Sequence, residues 1–255
     1  MFTTFPFADP WSLTAAVLSV VVLGLAKGGL AGVGLLVVPL MALVISPVQA
    51  AAIVLPLLLI SDAISLWTWW GRWDRRTLLL MLPGAVIGIG IGWLTAALVS
   101  DAVVRLIVGG IAIAFVLRWV TQTAAQRAVA QPQHAGKAGF WGAVTGYTSF
   151  VAHAGGPPYQ VYTVPLGLDA RIYTGTNVVF FAIVNAIKVV PYVALGQFDA
   201  TNLTTSAILA PVAVVFTLLG AAIIKRMSTG TFYKITYGLA FVVGVKLIWD
   251  GLAGL

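Results

Sequence analysis

Six long apolar runs, at about 47–70, 76–99, 102–119, 171–195, 203–224 and 231–253, dominate the chain. Each supplies the roughly 20 residues that cross ~30 Å of hydrocarbon at ~1.5 Å per residue. Uninterrupted runs of that length predict membrane-spanning helices, and several of them predict an all-α polytopic membrane protein. Composition agrees. Only 8% of the 255 residues are charged, whereas soluble domains carry about a quarter. Disorder is excluded because the chain is apolar and poor in charge. Absence of cysteine excludes disulfide scaffolds, thiolate metal sites and cysteine nucleophiles.

The net charge of +7 does not form a basic stripe of the kind that grips nucleic acid. Most Lys and Arg sit in three short loops, Arg72–Arg76, Arg118–Lys137 and Lys225–Lys234. The other connections, near Ser46, Ser100 and Gln197–Thr201, carry Asp or no charge, apart from Arg105 just inside a helix. The positive-inside rule places the three basic loops in the cytoplasm. The first ten residues lack a basic n-region, so no cleavable signal peptide is expected.

Two stretches depart from the long-run pattern. In 11–45, apolar segments 11–26 and 30–45 flank Lys27-Gly28-Gly29, and each of their sixteen residues' worth of helix reaches only about 24 Å. In 139–166, Ala154-Gly155-Gly156-Pro157-Pro158 interrupts the run, and two prolines after two glycines break a helix. With the basic loops inside, 139–166 begins and ends in the cytoplasm, and 11–45 forms the opposite hairpin. Internal matches support two halves: Val38-Pro39-Leu40 returns as Val164-Pro165-Leu166, Gly28-Gly29 as Gly155-Gly156, and Asp62 aligns with Lys188. The expected fold is an inverted repeat, each half a broken helical hairpin plus three transmembrane helices. The first repeat covers 1–120, a cytoplasmic linker 121–138, and the second repeat 139–255.

Broken helices in inverted repeats commonly build a transport site near the bilayer midplane. Irregular backbone at that depth must face protein or a polar cavity. A helix that begins at such a break directs free N–H groups and its positive dipole end at an anion. The Gly28-Gly29 and Gly155-Gly156 amides are therefore candidate donors. Lys27 and Lys188 are intramembrane cations, expensive to bury without a partner or a polar cavity. Asp62 and Lys188 either pair with each other or act separately on substrate and proton. His153, beside the second break, suits a proton relay. Gln160, Thr176, Asn177 and Asn185 are neutral donors that ring an anion in this reading, with Asn185 and Lys188 one turn apart on a helix face. Scattered glycines such as Gly88 and Gly92 read as close helix packing. No Walker, HExxH or GxSxG motif and no metal-ligating cluster is present, so neither enzyme chemistry nor a cofactor or metal is expected.

The run Gly24-Leu25-Ala26-Lys27-Gly28-Gly29-Leu30, followed by Val38-Pro39-Leu40, resembles the first glycine motif of the TauE/SafE family of sulfite exporters. Ala154-Gly155-Gly156-Pro157-Pro158, Gly175-Thr176-Asn177, Asn185-Ala186-Ile187-Lys188 and Gly196 resemble that family's second-half pattern. Lys27 and Ala31 stand where many members carry further glycines. The resemblance implies a bacterial inner-membrane carrier of small sulfur-containing anions such as sulfite or organosulfonates. The expected substrate-binding residues are Lys27, Gly28, Gly29, His153, Gly155, Gly156, Gln160, Thr176, Asn177, Asn185 and Lys188. Asp62 and His153 are the candidates for proton coupling. The expected partners are a small anion and the lipid bilayer, with no nucleic acid, and a homodimer is compatible with the reading. An anion channel and a non-transporting membrane assembly factor remain the alternatives.

Overall fold

The structure is a computed structural model that describes residues 6–7, 9–30, 33–95, 98, 100–123, 129–196 and 198–254. Ala31, Gln197 and part of the expected linker, 124–128, lie outside the described residues. The regular secondary structure among the described residues is helical, without strands. In chain order the helices are α1 Pro10–Gly28, α2 Val37–Met41, α3 Pro47–Thr68, α4 Arg75–Thr95, α5 Asp101–Thr121, α6 Ala135–Ala152, α7 Gly156–Thr163, α8 Ala170–Ala194, α9 Ala200–Arg226 and α10 Thr229–Ala253. Helices α3, α4, α5, α8, α9 and α10 match the six long runs. They and α1 are long and apolar enough to cross a membrane. Their outer faces leave large apolar side chains open, with Leu94 at 81% and Trp249 at 71% exposure, which suits lipid contact.

The helix starts account for most of the sparse acids. Asp9, Asp74, Asp169 and Asp199 each precede a helix and accept hydrogen bonds from amides of its first turn. That satisfies N–H groups that would otherwise lack acceptors. Asp250 bonds Lys246 one turn earlier on α10. Asp62 differs from all of these. It sits mid-helix in α3 and is only 3% exposed.

Two packing corrections follow at the first break. Helix α1 is 19 residues long and runs through Lys27 and Gly28 instead of ending before them. It closes at Gly29, whose φ of 134° suits glycine, with Gly29 N–H donating to the Ala26 carbonyl and Leu30 N–H to the Leu25 carbonyl. The expected second arm, 30–45, is not one helix. A 3-10 turn, Val33–Leu36, leads into the five-residue α2.

Helix partnerships follow a simple relation. α1 packs on α9 and α6 on α4, α3 packs on α9 and α8 on α4, while α3 meets α8 and α5 meets α10. Exchanging the first five helices for the last five turns this set of pairings into itself. Glycines permit the tightest contacts. A Cβ on Gly84 or Gly88 would land on the carbonyls of Gly139 and Ala143 of α6, and one on Gly28 would strike the α9 backbone at Thr217 to Ala221. Gly92 rests against Phe150.

The three basic loops meet at one end of the bundle. Gln133 Nε2 donates to Asp74 at 2.6 Å, Asp74 N–H donates to Thr176 at 2.8 Å, and Arg171 donates to the Lys225 carbonyl at 3.0 Å. Asp74 also caps α4 through the Thr77 amide at 2.8 Å. Burial pushes its carboxyl pKa up, but the bonds from Thr77 and Gln133 and the Arg76 charge outweigh this and hold it below 3.8. A lowered folded pKa stabilises the fold above the unfolded value and stops doing so as pH falls through the folded value. Asp74→Ala is therefore expected to lose on the order of 1 kcal/mol at neutral pH, the usual size of a helix cap. Its deficit should shrink below about pH 4. Thermal melts of both proteins at the two pH values check this, and an equal deficit at both would contradict it.

Candidate functional site

Helix α8 supplies the wall of a central cavity. Asn177, Phe181, Asn185, Lys188 and Tyr192 recur at helical spacing along one of its faces. All but Tyr192 line an empty space of about 110 Å³, together with Lys27 and Ala26 of α1, Ser149 and His153 of α6, and Gly155, Gly156 and Gln160 at the start of α7. The volume is several times the ~10–15 Å³ that one water needs. It suits a ligand of a few heavy atoms. Leu23, Val37, Val38, Val54 and Leu58 add an apolar part to the lining.

Lys188 is the most deeply buried cation among the described residues, at 1% exposure. Its Nζ donates to the Ser149 carbonyl at 3.2 Å and to Ser149 Oγ at 3.4 Å, and it lies 3.5 Å from His153 Nδ1. No described carboxylate lies within 4.0 Å of it. An ammonium offers only donors, so beside a charged Lys188 the His153 Nδ1 is the acceptor and Nε2 carries the proton. Nε2 then donates to Tyr192 Oη, 2.8 Å away. His153 adopts a left-handed backbone, φ 50°, where α6 turns toward α7.

Asp62 is taken by other partners. Lys27 Nζ donates to Oδ1 at 2.6 Å and Asn185 Nδ2 to Oδ2 at 2.7 Å. Helices α1, α3 and α8 are thus joined at the cavity wall by an ion pair and an amide hydrogen bond. Of the two arrangements left open by the sequence, the direct Asp62–Lys188 pair is not the one formed. Lys27 also stands 5.9 Å from the Phe181 ring centroid, a cation–π contact.

The two breaks are not equivalent. At the second, α7 begins on the cavity with Gly155 as its cap. Two prolines in its first turn carry no N–H, so Gly155 and Gly156 own the amides available there. Neither amide donates to a described residue. A Cβ on Gly155 would crowd Ser149, Thr145 and Phe181, so only glycine fits this approach. Gln160 is 1% exposed, and its Oε1 has no described partner.

At the first break the expectation of anion-facing amides at Gly28-Gly29 is corrected. Helix α1 ends there instead of beginning, so the backbone presents carbonyls and the negative dipole end. The Lys27 carbonyl accepts from Ser65 Oγ at 2.8 Å and the Gly28 carbonyl from Trp69 Nε1 at 3.2 Å. Gly28 packs on α9 and Gly29 on Thr174 and Ile224, neither lining the cavity. Thr176 is likewise elsewhere. Its hydroxyl donates to the Ile172 carbonyl and accepts from Asp74, docking the 71–76 loop.

Ser149, Phe181 and Tyr192 belong to the site without having been picked from the sequence. Each stands four residues from a chosen one: Ser149 from His153, Phe181 from both Asn177 and Asn185, Tyr192 from Lys188. That i,i+4 relation puts them on the same helical faces.

The family model described as Sulfite exporter TauE/SafE matches residues 16–247. The chain belongs to this family. Comparison with curated proteins and with solved structures finds no match. TauE/SafE membership implies a membrane transporter of sulfur-containing anions, and the family's members are transporters rather than enzymes. The matched span contains every residue of the cavity. It also takes in the Gly175-Thr176 element, which in this TauE/SafE protein holds a loop instead of lining the site.

Proposed function

We propose that the protein carries a small sulfur-containing anion, such as sulfite, an organosulfonate or a related oxyanion, across a bacterial inner membrane by alternating access. The observation that carries the proposal is Lys188, a buried cation with no described carboxylate within 4.0 Å, lining the cavity. Burying an uncompensated charge is strongly unfavourable, and an anion in the cavity relieves it. The free amides of Gly155 and Gly156, with Asn177 and Gln160, offer hydrogen bonds to the other oxygens. The apolar wall accommodates a short carbon substituent.

Alternating access is supported by the exchange relation among helix pairings, which is what an inverted repeat of 1–120 and 139–255 produces. Rocking one half against the other would open the cavity to each side in turn. For proton coupling, His153 is the better placed of the two candidates. It links Lys188 to Tyr192, whereas both oxygens of Asp62 are already engaged.

Purified protein in liposomes tests the proposal through counterflow of labelled sulfite, thiosulfate, sulfate and two-carbon sulfonates. Saturable exchange with trans-stimulation by a sulfur anion is expected. Flux without saturation or trans-stimulation would favour a channel, and no flux of any of them would overturn transport.

A further inference from the structure

Resting on the transport reading, we infer that Asp62 sets the charge of the cavity, so that the site takes singly charged sulfur anions and rejects dianions. Three ionised side chains meet at or just behind its polar wall. Lys27 and Lys188 contribute two positive charges, and Asp62 one negative charge. His153 counts as neutral, because a further positive charge 3.5 Å from the Lys188 ammonium and away from water is unfavourable. One positive charge is left over.

Asp62 does not line the cavity. It acts through Lys27 and Asn185, whose donors hold both of its oxygens. Because Asp62 is 3% exposed, water screens it less than a surface charge, and its negative charge offsets part of the positive potential that a ligand beside Lys27 meets. A monoanion neutralises the remaining charge. A dianion leaves one negative charge uncompensated in a buried site and is repelled by Asp62, a device that builds specificity from an unfavourable interaction with the wrong ligand. Hydrogensulfite and simple alkanesulfonates satisfy the requirement, and sulfate does not. The apolar wall of Leu23, Val37, Val38, Val54 and Leu58 favours the alkanesulfonates among monoanions.

The test measures counterflow of methanesulfonate and of sulfate, equal in head-group chemistry but different in charge, by the wild type and two variants. Wild-type protein should exchange methanesulfonate well in excess of sulfate. In Asp62→Asn the site carries two positive charges, and the sulfate-to-methanesulfonate ratio should rise by roughly tenfold or more. In the double variant Lys27→Met with Asp62→Asn only Lys188 remains charged, and the ratio should return to the wild-type value. A merely structural role for Asp62 would lower both fluxes together without moving their ratio. If the single variant does not fold, Lys27→Met takes its place: it removes a positive charge while Asp62 stays, so the sulfate-to-methanesulfonate ratio should fall below the wild-type value, and an unchanged ratio overturns the inference. Preference for sulfate in the double variant or in the wild type also overturns the inference. So does an unchanged ratio in folded Asp62→Asn, while wild-type methanesulfonate exchange leaves transport itself standing. Wild-type exchange of no sulfur anion overturns transport and the inference with it.

Discussion

Replacing Lys188 with methionine is expected to reduce sulfur-anion exchange by at least ~100-fold, equivalent to about 2.7 kcal/mol of lost interaction. The same change should leave the melting midpoint unchanged or raise it. Both expectations come from one feature. Lys188 is 1% exposed, and its neighbours are the neutral Ser149 and His153. A buried ammonium with no described carboxylate in contact destabilises the protein, so an apolar side chain of similar length removes that cost. The substrate meanwhile loses the charge that compensates its own. Exchange in liposomes and thermal unfolding of the same preparations measure the two effects. A variant that unfolds at lower temperature would make Lys188 a structural residue. Retained exchange would remove it from the site.

Replacing Gly88 with valine is expected to have the largest effect on the fold. Helices α4 and α6 cross with Gly84 and Gly88 against the backbone of Gly139 and Ala143, while Gly142 and Gly146 meet the carbonyls of Met81 and Ala85. There is no space for even one carbon at these four positions. Without a hydrophobic drive between helices in lipid, such close backbone approach supplies much of the association. Forcing the helices apart should lower the melting midpoint by on the order of 10 °C or prevent recovery of monodisperse protein. Gly90, two residues further along α4, has nothing within 4 Å of an added Cβ. Gly90→Val is therefore the control, expected to behave as wild type. Equal behaviour of the two variants would contradict the account.

The helical membrane class was readable because hydrocarbon leaves the backbone few options, and six long, predominantly apolar runs state that constraint directly. The second break was readable too. Paired glycines followed by paired prolines permit no other local outcome, and the structure starts α7 there. At the first break, Lys27 was misread as ending its helix. A lysine interrupts an apolar run, but Asp62 neutralises it and Gly28 lets α1 press against α9, so the helix continues to its glycine cap. That shift converts expected amide donors into carbonyls. The alignment of Asp62 with Lys188 left two arrangements open, because matching positions in a sequence need not touch, and the carboxylate takes Lys27 as its cation. Ser149 and Tyr192 carry too little chemistry to attract notice alone. Only their spacing from His153 and Lys188 gives them away.

The central claim is that an oxyanion occupies the space between Lys188 and the start of α7. Selenite, the heavier counterpart of sulfite, allows a direct look through its anomalous scattering in crystals of the protein. The expected result is a selenium peak inside the cavity, with selenite oxygens at hydrogen-bond distance, ~2.7–3.2 Å, from Lys188 Nζ and the Gly156 amide. A protein that exchanges sulfite yet shows its selenium peak elsewhere would contradict the account.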